Sequence, residues 1–199
     1  MSRKSRIWYP GATYHVISRG NRKGEIFLEP ADYVDFLEYL ASVKRDYPFT
    51  LHAICLMTNH FHMEIGTQDV DLSVIMRKLL SPYAANFNHK YHLTGHVFEN
   101  RYTAELIEDE RYFLEVSRYI HLNPFRARIV QNPSEYEYSS IRCYQNAEDP
   151  FKRESGPDSY ADGLIRELAD PERVLKCFHS PGQYSEFMKE AMRRDDEKV

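Results

Sequence analysis

Two histidines flank one large apolar residue in His60-Phe61-His62, within the stretch Thr58-Asn59-His60-Phe61-His62-Met63-Glu64-Ile65 that follows the apolar run Leu51 to Met57. In a β-strand alternate side chains share a face, so both imidazoles point one way and Phe61 is buried on the other. Neutral imidazole is a common ligand of divalent cations, and two side by side make half a metal site. The segment Glu110 to Asn123 offers the rest. Phe113, Val116 and Ile120 form the apolar stripe of a helix, and Glu115, Tyr119 and Asn123, spaced i, i+4, i+8, form a second stripe on another face. If that stripe faces the histidines, the Asn123 amide oxygen is a third ligand and the Tyr119 phenol lies beside the bound group. With a pKa of about 10, a phenol is a poor nucleophile at neutral pH and needs a polarised electrophile or a base. A divalent ion on two imidazoles and one carboxamide, with open positions, is a suitable Lewis acid for a phosphodiester. Attack by the tyrosine oxygen would leave a phosphotyrosine ester whose bond energy is retained, so a hydroxyl can later reverse it.

The remaining candidate ligands are less ordered. His52 lies outside the pair and reads as packed or exposed, and His89, His92 and His96 are irregularly spaced with no cysteine near them. That pattern is poor for zinc, whose sites use regular Cys and His spacing. Cys55, Cys143 and Cys177 are odd in number and far apart, as expected of reduced thiols in a cytoplasmic protein. No stretch approaches the roughly 20 apolar residues of a membrane span, and the basic N-terminus has no hydrophobic signal region after it. The net charge of −4 argues against a nonspecific DNA-coating protein, but the distribution is uneven. Residues 1–145 carry 17 basic and 17 acidic side chains, and residues 146–199 carry 9 and 13. Residues 1–24 hold Arg3, Lys4, Arg6, Arg19, Arg22 and Lys23 and no acid, a local patch suited to phosphate contacts. The 15 tyrosines suit surfaces that are both apolar and hydrogen-bonding, including platforms on which bases stack.

These residues are placed by a simple succession of elements. A strand over 12–18 leads into the Gly/Asn-rich basic loop Arg19 to Gly24, whose glycines let backbone approach a ligand closely. A helix runs from Pro30 to Tyr47, where Tyr33, Phe36, Leu37, Leu40 and Val43 have helical spacing. Strands Phe49–Met57 and His60–Thr67 are joined hairpin-like through Thr58-Asn59. A helix from Asp71 to Tyr91 contains Pro82, which should kink or break it. Strand Thr103–Ile107 precedes a helix from Glu110 to Asn123, with Asp109 as N-cap and Pro124 as its stop. The first six elements read β-α-β-β-α-β, the split βαβ pattern of a ferredoxin-like α+β fold: an antiparallel sheet with helices on one face and the other face free. Residues 1–145 form that domain. Residues 146–158 read as a linker, and helices over 164–177 and 184–192 make a small helical C-terminal extension, 146–199, of unassigned role.

Pro10-Gly11-Ala12-Thr13-Tyr14-His15-Val16, Arg19-Gly20-Asn21, Met57-Thr58-Asn59-His60-Phe61-His62 and Tyr119-Ile120-His121-Leu122-Asn123-Pro124 together resemble the HUH single-tyrosine transposases, in the branch of REP-associated tyrosine transposases. The likeness covers about residues 8–145 in the right order. It implies that His60, His62 and Asn123 hold Mg²⁺ or Mn²⁺, that Tyr119 is the nucleophile, and that single-stranded DNA is nicked at a hairpin foot through a 5′-phosphotyrosine and rejoined. It also implies a DNA partner, with Arg3, Lys4, Arg6, Arg19, Asn21, Arg22, Lys23 and Arg101 as candidate contacts, and no membrane. Both a homodimer with exchanged tyrosine helices and a monomer are open. A relaxase of the replication-initiator type uses the same chemistry, but the chain is short and has no helicase segment. A non-catalytic DNA- or RNA-binding regulator on the same sheet is the other alternative.

Overall fold

The computed structural model of the chain describes residues 7–145 and 159–196; Arg3, Lys4, Arg6 and the linker-like 146–158 lie outside the described residues. Strands β1 (Thr13–Arg19), β2 (Phe49–Met57), β3 (His60–Thr67) and β4 (Thr103–Ile107) form one antiparallel sheet in the order β2-β3-β1-β4. Helices α1 (Pro30–Asp46) and α2 (Leu72–Lys90) make the two connections, giving the ferredoxin-like α+β arrangement. α1 starts where Pro30 fixes the first helical residue and a Glu29/Asp32 capping box satisfies the free N–H groups. α2 runs through Pro82 as one assigned helix.

Strand alternation divides the sheet. Tyr14, Val16, Ile54, Leu56, Phe61, Met63 and Ile65 form one core with α1 and α2. His15, His62 and Glu64 are buried on the other face, and Ala53, Cys55 and Met57 pack there with helix α3 (Glu110–Arg126). The expectation of a free second face therefore needs correction. α3 carries Phe113, Val116 and Ile120, all nearly inaccessible. Burying each such side chain contributes about 1.5–3 kcal/mol, and the smaller Ala53, Cys55 and Met57 leave room for the helix to approach. α3 also passes Asn123, where it was expected to stop, and ends at Arg126. Pro124 lacks only its own N–H, and the last carbonyls are closed by the N–H groups of Ala127, Arg128 and Ile129. Asp109 caps the start, its carboxylate accepting from the Tyr112 N–H at 2.7 Å.

Beyond residue 158 the two expected helices are three: α4 (Tyr160–Leu168), α5 (Glu172–Leu175) and α6 (Pro181–Asp196). The break falls at Asp170-Pro171, where the Asp170 N–H leaves the helical pattern to donate to the Leu51 carbonyl at 2.8 Å. Ala161, Ile165 and Leu168 join the first core, and Val174, Tyr184, Met188 and Ala191 join the second. Cys55, Cys143 and Cys177 are all unpaired thiols. Among the described residues no helix is long and apolar enough to cross a membrane.

Candidate active site

The β2–β3 hairpin turns in two residues, Thr58 and Asn59, with Met57 opposite His60. Two-residue hairpins usually require a positive φ; neither residue has one. Tertiary bonds hold the turn instead. The Thr58 carbonyl accepts from the N–H groups of Ile26 (2.8 Å) and Phe27 (3.1 Å), and the Asn59 carbonyl from that of Gly20 (2.9 Å). The Asn59 side chain bridges outward and inward: Nδ2 donates to the Lys23 carbonyl at 3.2 Å, and Oδ1 accepts from His60 Nδ1 at 2.6 Å.

His62 is held in the corresponding way by a residue that sequence reasoning did not single out. β1 lies beside β3 with Ile17 opposite His62 and His15 opposite Glu64, and the His15 ring reaches across so that its Nε2 lies 3.0 Å from His62 Nδ1. The two rings are stacked with centroids 5.3 Å apart. Both Nδ1 atoms of the pair are thus engaged, by Asn59 and by His15, which leaves Nε2 on each ring as the ligating atom. The rings of His60 and His62 are 5.1 Å apart. Burial, with Arg19 adding to it, pushes His60 down to about 4. Burial, followed by the neighbouring His15, His60 and Arg19, pushes His62 down to about 2. Burial also lowers His15, against the pull of Glu105. All three imidazoles are neutral at physiological pH, the form a metal requires.

α3 brings Tyr119 of the same chain onto this cluster. Its ring meets His62 edge-on at 5.4 Å and His15 at 5.7 Å between centroids, and it remains 40 % exposed while its helix neighbours Arg118 and Ile120 are buried. One turn on, Asn123 donates from Nδ2 to the Tyr119 carbonyl at 2.9 Å, so Oδ1 is the atom it can offer to a ligand. Seven residues on, the Arg126 guanidinium stands 5.4 Å from the Tyr119 ring centroid and is held by Asp195 of α6 at 2.8 Å. The back of α3 is fixed at three further points. Ser117 and His121 reach the Tyr184 hydroxyl at 3.2 and 2.6 Å, and Arg118 donates to the Phe187 carbonyl at 3.1 Å.

The candidate ligands are two neutral imidazoles and a carboxamide oxygen: the imidazoles favour a borderline transition ion and the carboxamide a harder one, so the set fits Mn²⁺ better than Mg²⁺. Among the described residues no group of three or more His, Cys, Asp or Glu side chains forms a metal cluster, and His89, His92 and His96 are exposed. Glu64, next on the same face, is fully buried and neither carboxylate oxygen has a hydrogen-bond partner. Burial drives its carboxyl well above the usual range, with Arg173 pulling back.

The candidate DNA contacts separate into two groups. Arg19 ends β1 opposite His60. Asn21, Arg22 and Lys23 form a 3-10 turn just beyond, in which Arg22 and Lys23 have φ of 54° and 61°, a conformation non-glycine residues rarely hold. This basic turn stands at the same end of the central strands as His60. Arg101 is exposed and lines a separate groove of about 690 Å³ with Arg77 of α2. The two regions touch through the Asn21 N–H, which donates to the Val97 carbonyl at 2.8 Å.

A four-stranded antiparallel sheet, a histidine pair on its strand β3 and a tyrosine helix across it define an arrangement that the comparisons with known proteins place. Residues 9–123 match the family described as IS200-like transposases, and the chain belongs to that family. Among solved structures, a REP-associated tyrosine transposase bound to a REP hairpin matches with a TM-score of 0.63 at 23 % identity, over 81 % of this chain and 96 % of that one. A crystallised Deinococcus radiodurans R1 protein described as a transposase matches at 16 % identity and a TM-score of 0.42, over 60 % and 95 % of the two chains. No curated protein sequence matches. The first likeness shows the same fold, an α+β unit around a four-stranded antiparallel sheet. Membership of the family makes the chain a transposase-type DNA-processing protein.

Proposed function

We propose that the chain is a single-tyrosine nuclease and strand transferase that cuts single-stranded DNA beside a hairpin and holds the 5′ end as a phosphotyrosine. The observation that carries this reading is the packing of Tyr119 against His62 within one chain, with Nε2 of His60 and of His62 left for a ligand. His60, His62 and Asn123 hold Mg²⁺ or Mn²⁺, which supplies Lewis-acid polarisation of the scissile phosphate. Asn59 and His15 fix the two rings so that little reorganisation is needed when the phosphate arrives. The Tyr119 oxygen forms a bond to phosphorus, the P–O3′ bond breaks, and the phenol proton is lost while the 3′-oxygen takes one up. Number and kind of ester bonds are conserved, so a 3′-hydroxyl can attack the phosphotyrosine and reseal the strand. Arg126 carries positive charge to the phenol side of the reaction.

The DNA is a single strand with a hairpin, in keeping with the REP hairpin bound by the structurally similar transposase. Arg19, Asn21, Arg22 and Lys23 face its phosphates at the end of the central strands, and Arg101 touches it further along. The test is covalent capture: a labelled hairpin with single-stranded flanks, incubated with Mg²⁺ or Mn²⁺, gives a protein–DNA adduct on a denaturing gel. Tyr119→Phe should abolish the adduct and keep hairpin binding. An adduct that survives Tyr119→Phe rejects the nucleophile, and tight binding without any adduct favours a regulator that does not cut.

A further inference from the structure

α3 packs chiefly on β2 and β3 and leaves the β1–β4 half of its sheet face uncovered. The space so formed is a cleft of about 410 Å³ that ends at Tyr119. That size is ordinary for a small-molecule or single-base site, whose range is ~300–1,000 Å³. Its walls are unlike the basic turn after β1. His15 and the rings of Tyr112 and Tyr119 supply flat apolar surface, Glu105 supplies a carboxylate from exposed β4, and Arg118 and Arg126 stand on the helix side. Arg118 is occupied by Glu115 and by the Phe187 carbonyl, so it serves the helix. Glu105 has no cationic partner among the described ion pairs; it accepts a hydrogen bond from the Tyr112 hydroxyl, which leaves further lone pairs on the carboxylate, and it lies opposite His15 in the β1–β4 register.

We propose that this cleft seats the base next to the phosphate attacked by Tyr119, and that Glu105 selects an amino-bearing base there, cytosine, adenine or guanine over thymine. The inference rests on the reading of Tyr119 as nucleophile. A base flanking the scissile bond of an unpaired strand is free to leave its neighbours and stack on an aromatic wall. A carboxylate has acceptors only, so it rewards the exocyclic amino groups of cytosine, adenine and guanine. Thymine presents carbonyls on both sides of its single ring N–H and is repelled. Arg126, at the Tyr119 ring and paired through Nε with Asp195, has further guanidinium N–H groups for the adjoining phosphate. The cleft thus reads base identity on the side of the tyrosine away from the metal ligands.

The experiment uses the full chain with Mn²⁺ and a hairpin whose single-stranded flank is randomised. Protein-linked and released strands are sequenced for the wild type, Glu105→Gln and Glu105→Ala. The expected result is an excess of the amino-bearing bases cytosine, adenine and guanine over thymine at one of the two positions flanking the linkage. That ratio should fall roughly tenfold in both variants, the usual scale of one good base contact. A wild-type profile without that excess, or variant profiles that match the wild type, overturns the inference while leaving the nucleophile in place. Absence of adduct from every library member overturns the reading of Tyr119 and this inference with it.

Discussion

At the scale of single residues the site is partly a local pattern and partly a product of pairing. His60 and His62 were legible because strand alternation is a two-residue rule that needs nothing beyond their own segment. Tyr119 and Asn123 were legible for the same reason on a helix. His15 was not, although it sits in a readable strand, because its relation to His62 exists only when β1 pairs with β3 in one register, 47 residues away. The available signal was a histidine on the otherwise half-polar face of an apolar strand. Asn59 escaped because a turn residue reads as a turn, and its bond to His60 is a side-chain detail. The role assigned to His15 has a direct measure. His15→Ala frees the His62 ring and should weaken Mn²⁺ binding by roughly 10–100-fold, the usual effect of removing a partner behind a metal-bound histidine. Electron paramagnetic resonance of free Mn²⁺ reads this without any DNA present. His15→Gln, which retains an acceptor, should recover part of the loss. Unchanged affinity in His15→Ala would reject the role.

At the scale of elements, α3 decides most of the chemistry. Its apolar stripe and its N-cap could be read from spacing, and both are found. Its position over the second sheet face could not, since the stripe says that the helix is buried but not against what. Its last turn was hidden by Pro124, which forbids one hydrogen bond but does not forbid a helix that is already ending. His121, on the back of α3, is fully buried between Tyr184 Oη at 2.6 Å and Ser140 Oγ at 2.8 Å. Burial pushes it down to about 3 from its ordinary 6.5. The folded state therefore binds this proton more weakly than the unfolded state. Its contribution to stability is complete above pH 6.5 and is lost as pH falls towards 3. The melting temperature of the wild type should fall between pH 7 and pH 4. His121→Gln should melt lower at pH 7 and lose less on acidification; an equal pH slope in the two proteins would exclude His121 as a contributor.

At the scale of the whole molecule, the C-terminal helices belong to both cores. The sequence presents residues 146–199 as an appendage because a polar stretch precedes them and their helices are short. Spatial packing is not visible in that pattern: Ile165 and Leu168 complete the core beneath α1, while Val174, Tyr184 and Met188 complete the one beneath α3. Deleting a single buried Leu or Ile side chain costs about 2–5 kcal/mol, and a domain has only about 5–15 kcal/mol in all. A chain ending at residue 158 should therefore lose its cooperative thermal transition, followed by circular dichroism. A truncated protein that melts within a few degrees of the full chain would make the extension separable.

The contacts that fix the back of α3 have a genetic consequence. A tyrosine helix that moved into a neighbouring copy would leave Tyr184, Phe187 and Asp195 without their partners, or would have to take α6 along. If the helix stays with its own sheet, each chain supplies both halves of its own proposed site, and defects in the two halves should fail to complement. Mixing Tyr119→Phe protein with His60→Ala protein, after co-expression or co-refolding, should yield no adduct, because neither chain can lend the other what it lacks. Recovery of adduct towards a quarter or a half of the wild-type level would show that the helix changes hands.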